Sequence, residues 1–155
     1  MSALEPLVGR WTLEASMGGH VMVGGWASFE WIEGGAFLLH RADAAPPGDD
    51  VPREWRENAP FPVLVIIGSD EFSGRFSYLY TDARGVHRVY SMTLEDGLWR
   101  ITGRAGARFF QRFEGRFADD GRSIAAQWER SADGVAWEKD FDLLYARATP
   151  ASGSR

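Results

Sequence analysis

Arg88 and three tyrosines are the residues whose type and spacing most clearly read as chemistry. Tyr78 and Tyr80 precede the turn Asp82-Ala83-Arg84-Gly85, and Arg88 and Tyr90 follow it. Side chains two apart on a strand share a face. If Asp82 faces Val86 across the turn, Tyr80 faces Arg88, Tyr78 faces Tyr90 and Phe76 faces Met92. A guanidinium beside phenol hydroxyls can hold a carboxylate or an enolate. His40 is a further candidate, as a general base, a haem ligand or a hydrogen-bond partner for a ligand. In an enzyme, Arg88, Tyr90 and His40 would be the acid, base or oxyanion partners.

Other chemistries lack their residues. The 155 residues contain no Cys, which removes disulfide scaffolds, thiol catalysis and Cys-ligated zinc. The histidines are His20, His40 and His87, and no pair has metal-ligand spacing, so no metal site is expected. His20 falls in a Gly-rich loop, and His87 pairs outward with Thr81. There is no phosphate loop, dinucleotide fingerprint or Gly-x-Ser-x-Gly elbow. A net charge of −5 argues against nucleic-acid binding. No apolar run approaches a membrane span of about 20 residues. The N-terminus lacks the basic and apolar regions of a signal peptide, so a cytoplasmic location is the expectation.

These side chains need strands to hold them. Ten short β-rich runs are bounded by Gly turns: Arg10–Ser16, Trp26–Glu33, Ala36–Asp43, Val63–Gly68, Arg75–Asp82, Val86–Leu94, Leu98–Gly103, Arg108–Ala118, Ser123–Ser131 and Ala136–Arg147. Ala3–Val8 suits one helical turn. A meander of this many strands removes its edges by closing. The expected fold is all-β, a closed up-and-down antiparallel barrel over residues 1–148, with residues 149–155 a disordered tail. The stretch from Ala44 to Pro62 holds five of the seven prolines and carries Trp55. A connection of that length is usually functional or disordered; here it can cap the barrel.

Turn registers assign the faces. With Asp120-Gly121 as a loop, Phe117 faces Ile124, Phe113 faces Trp128 and Gln111 faces Arg130. The other face pairs Arg112 with Glu129. With Asp133-Gly134 as a two-residue loop, Arg130 faces Trp137, Trp128 faces Lys139 and Ala126 faces Phe141. Around Gly34-Gly35, Trp31 faces Leu38 and Phe29 faces His40, while Glu30 and Arg41 form an outer ion pair. The interior would then carry Phe29, Trp31 and His40; Phe76, Tyr78 and Tyr80; Arg88, Tyr90 and Met92; Trp99; Phe109, Gln111 and Phe113; and Trp128, Arg130, Trp137, Lys139 and Phe141. Aromatic walls with a few polar groups describe a small-molecule pocket. Phe37, Leu79 and Phe110 face outward, where they suit either a monomer surface or a homodimer patch.

A resemblance agrees with this reading. Gly9-Arg10-Trp11 on the first strand and Tyr145-Ala146-Arg147 on the last resemble the calycin pattern of lipocalins and fatty-acid-binding proteins. In that pattern the Trp closes one barrel end and the Arg packs across it. Phe29–Arg41, Tyr80–Met92 and Phe109–Arg147 are similar to uncharacterised bacterial lipocalin-like proteins of the DUF1579 type. The resemblance implies a calycin-like barrel, and Arg88 with its tyrosines resembles the basic-plus-Tyr anchor of fatty-acid-binding proteins. Nitrobindin, a haem-binding ten-stranded relative, has its proximal His near the C-terminal end, whereas no His follows His87 here. Its Gly-x-Trp-x-Gly-x-Gly pattern stops here at Trp11. The leading expectation is an intracellular barrel holding an apolar or aromatic small molecule, with no cofactor. A cofactor-free cyclase or isomerase is the second reading, and a haem protein with His40 as ligand the third.

Overall fold

The computed structural model describes residues 2–149; the expected disordered tail lies, apart from Thr149, outside them. Ten strands run β1 (Gly9–Met17), β2 (His20–Ile32), β3 (Phe37–Asp43), β4 (Val63–Ser69), β5 (Phe76–Asp82), β6 (His87–Glu95), β7 (Leu98–Arg104), β8 (Phe110–Phe117), β9 (Ser123–Ser131) and β10 (Glu138–Arg147). Each pairs antiparallel with its sequence neighbours, and β1 pairs β10 to close the barrel. Closure leaves no strand edge unpaired. Among the described residues no helix is long and apolar enough to cross a membrane.

Turn chemistry sets the registers. Between β6 and β7, Asp96 (φ 51°) and Gly97 (φ 73°) both take the left-handed backbone that a tight primed hairpin turn needs. The expected pairs Tyr80–Arg88, Tyr78–Tyr90 and Phe76–Met92 are formed across β5 and β6. So are Phe113–Trp128 and Gln111–Arg130 across β8 and β9, and Phe29–His40 across β2 and β3. One strand starts earlier than expected. His20 opens β2 and pairs with Met17, so only Gly18 and Gly19 form the turn there.

One barrel end is closed by a 3-10 turn, Ser2–Leu7. Its Leu4 and Leu7 are fully buried. The Trp11 indole N–H donates to the Leu7 carbonyl at 2.8 Å. Arg147 lies over the Trp11 ring at 4.1 Å and donates to the carbonyls of Pro6 and Val8. Gly9 sits at φ 124°, and a Cβ there would be 2.8 Å from the Arg147 guanidinium. Thus the Gly of Gly9-Arg10-Trp11 makes room for the Arg that covers the Trp.

The last hairpin corrects the expected register. Asp133 does not head a two-residue loop. Its carboxylate accepts from the Val135 and Ala136 amides at 2.8 and 2.9 Å, while Ser131 Oγ accepts from the Gly134 amide. These side-chain bonds replace backbone pairing and lengthen the turn. Arg130 then faces Glu138, Glu129 faces Lys139, and a bulge before Phe141 lets Trp128 face Phe141. Lys139 is consequently exposed and pairs with Asp142 at 3.0 Å instead of lining the interior. Arg130 is exposed and pairs with Glu138 at 2.9 Å. Trp137 lies outside, under the Arg112 guanidinium at 4.1 Å.

The outer wall carries the expected Arg112–Glu129 pair, with contacts of 2.9 and 3.3 Å. The expected Glu30–Arg41 pair is not formed among the described residues. Phe37 and Leu79 lie on the outer face of β3 and β5, and Phe110 packs under Arg104 elsewhere on the wall.

Candidate functional site

Arg88, on β6, is the centre of the cluster. Its Nη1 donates to Gln111 Oε1 at 2.9 Å, and the Tyr90 hydroxyl donates to the same oxygen at 2.5 Å. Arg88 also lies 3.4 Å from the Tyr90 hydroxyl and 5.3 Å over the Phe109 ring. Gln111 reaches this place because β8 pairs Gln111 with Gly103 on β7, next to β6. Gly103 is itself required. A Cβ there would stand 2.1 Å from the Tyr90 ring, so the missing side chain is the seat of that ring.

Arg88 has no charge partner among the described residues. Six other arginines and Lys139 are ion-paired, but among the described residues no carboxylate is within ion-pair distance of Arg88. A half-buried guanidinium held by neutral groups retains much of its demand for an anion. Only Tyr90 of the three expected tyrosines touches it. The Tyr80 hydroxyl instead donates to Asp82 at 2.7 Å, where Arg84 also binds at 2.6 Å, clamping the β5–β6 turn.

Below this cluster the interior is aromatic and uncharged. Phe29, His40, Tyr78, Met92, Trp99 and Phe113 are buried. Trp128 and Phe141 pack against them, Phe113 meeting Trp128 at 5.2 Å. Trp31 and Phe76 also pack on the core. The Trp31 indole is tied to Glu5 of the 3-10 turn, at 2.7 Å, so it serves the closed end. His40 stacks on Phe29 at 4.2 Å, and its Nδ1 lies 3.3 Å from the Ser28 carbonyl. Burial pulls the imidazole down from 6.5 to about 4, so it is neutral at physiological pH. Burial pushes the Tyr78, Tyr80, Tyr90 and Tyr145 hydroxyls up, so all four are protonated donors.

Tyr145 is a member that sequence reasoning missed. It faces Ile124 and Leu13 from β10 and is only 5% exposed. The available signal was its parity, two and four residues beyond Leu143 and Phe141. Asp140 was also missed. It occupies the bulge, and half-burial holds its carboxyl above the usual range against the pull of Arg130.

The proline-rich connection, residues 44–62, contains a short helix, α1 (Arg53–Glu57), that its sequence did not suggest. Trp55 on α1 meets Phe141 edge-on at 6.4 Å. The strap is tied to the β5–β6 turn by the Ala83 amide, which donates to the Pro60 carbonyl at 3.1 Å. Two concavities of about 270 and 380 Å³ lie outside the barrel, against the outer faces of β6 to β8 and at the closed end. Neither touches Arg88 or the tyrosines.

No family of known proteins and no curated protein matches the chain by sequence. Solved structures do match. The crystal structure of Rv2717c from M. tuberculosis superposes over 96% of this chain and 99% of that one, with a TM-score of 0.57 at 14% identity. This likeness establishes a shared barrel fold.

Proposed function

We propose that the chain is a calycin-type, lipocalin-like carrier of the cytoplasm that binds a small organic anion with an apolar or aromatic body. Arg88 anchors the anionic group, and the aromatic interior receives the body. The supporting observation is a half-buried guanidinium whose partners among the described residues are all neutral. Gln111 and Tyr90 fix its direction and leave its charge for the ligand. Trp55 and the strap cover the side where Phe141 lies.

The cyclase or isomerase reading draws on the same residues but has weaker support. A general base works best with a pKa near the operating pH. His40 at about 4 is far below it, and the tyrosines are held protonated. Haem fits His40 poorly. Its ring is 4% exposed and stacked on Phe29, and a porphyrin would have to displace the aromatic side chains packed around it.

Titration with 4-phenylbutanoate and with 4-phenylbutanol tests the anchor. A charge-assisted pair is worth about 1.5–3 kcal/mol, or roughly 10–100-fold in Kd. The carboxylate should bind more tightly by that factor, and Arg88→Met should erase the difference. Equal affinity of wild type and Arg88→Met for the carboxylate would remove Arg88 from the site.

A further inference from the structure

One polar atom deep in the barrel is fully buried without a partner among the described residues, and three polar atoms of neighbouring side chains make no hydrogen bond to them. The Trp99 indole N–H is fully buried and makes no hydrogen bond among the described residues. Trp99 is 1% exposed, and its ring lies 5.8 Å from that of Tyr145. The Tyr78 and Tyr145 hydroxyls, on side chains 4% and 5% exposed, have no hydrogen-bond partner among the described residues. Burial raises the cost of ionising Tyr78, and the nearby Tyr145 phenol adds to it. His40, 6.4 Å from Tyr78, uses only its Nδ1. Buried polar groups in native proteins are nearly always satisfied, and an orphan calls for an explanation. Here the one orphan, Trp99, lies in an aromatic cluster that also holds the Tyr78 and Tyr145 phenols.

We infer that the ligand carries a neutral carbonyl-class acceptor at the end opposite its anionic group, and that Trp99, Tyr145 and Tyr78 read it. This rests on the proposed binding function. An indole N–H can only donate, and phenols that stay protonated donate readily. The group they face is therefore an acceptor. It is neutral because the surrounding side chains, Phe29, Phe113 and Met92, offer no compensating charge.

The distance between the two tiers sets the ligand's length. Trp99 faces Leu94, and Arg88 stands six residues from Leu94 on β6. That is about 20 Å along the strand, and about 15 Å along the axis of a barrel with strands tilted near 40°. The Arg88 side chain shortens the gap to a span on the order of 10 Å. Between the tiers lie Tyr90 and Trp128, 5.9 Å apart, whose rings must turn to admit the ligand.

The test compares 4-(4-acetylphenyl)butanoate with 4-(4-ethylphenyl)butanoate, which differ only in the carbonyl. We expect the acetyl compound to bind about tenfold more tightly, consistent with about 1.4 kcal/mol. Trp99→Phe, Tyr145→Phe and Tyr78→Phe should each reduce that ratio, whatever they do to the affinity for the ethyl compound. The two tyrosine variants keep their rings, which covers the case that Trp99→Phe does not fold. Arg88→Met should weaken both compounds and preserve the ratio. Equal binding of both by the wild type would overturn this inference alone, leaving the inner tier to water. Binding of neither would overturn the binding function and this inference with it.

Discussion

Lowering the pH should destabilise the barrel through His40. The unfolded chain holds this imidazole at its ordinary 6.5, whereas burial lowers it to about 4 in the fold. The folded state therefore binds fewer protons between these values. The contribution is fully present above pH 6.5, declines as pH falls, and is exhausted below about pH 4. At about 1.4 kcal/mol per unit, this comes to about 3 kcal/mol. The rings packed on His40 are Phe29 and Tyr78, neither of which titrates in that window. Asp140, with its raised carboxyl, acts in the opposite sense at the acid end. Asp82 and Asp133 are lowered and lose their contributions at still lower pH. Urea unfolding from pH 7.5 to 4.5 should show wild-type stability falling while a His40→Phe variant stays nearly flat. Parallel curves for the two proteins would refute the buried neutral imidazole as the source.

Three further substitutions probe the architecture. Gly103→Ala puts a methyl 2.1 Å from the Tyr90 ring and should cost about 2 kcal/mol in chemical denaturation, with the Tyr90–Gln111 bond lost by NMR. Arg147→Met removes the stack on Trp11 and the bonds to Pro6 and Val8, and should cost about 2–4 kcal/mol in thermal unfolding. Trp55→Ala loses one edge-on aromatic contact, about 1 kcal/mol, and should speed proteolytic cutting within residues 44–62.

Much of the barrel was legible because short turns dictate register, and register dictates faces. Asp82–Gly85 and Asp120-Gly121 placed Tyr90, Arg88, Gln111 and Trp128 on the inner side, where the structure has them. The reading failed where side chains rather than backbone shape the turn. Asp133 and Ser131 lengthen the last hairpin, and the bulge at Asp140 shifts the pairing, which turns Lys139 outward. Proximity across the barrel was also beyond reach. Nothing in the spacing of Trp99 and Tyr145 announces that their rings meet, since β7 and β10 are not neighbours in the wall. The hydroxyl of Tyr80 was misassigned for a local reason, because Asp82, two residues on, captures it.

Native mass spectrometry of the protein purified from its own host tests the central claim most directly. A binding barrel anchored by Arg88 should carry a small organic acid that is released on denaturation and absent from the Arg88→Met protein. A wild-type spectrum at the bare chain mass, or the same adduct retained by Arg88→Met, would contradict it.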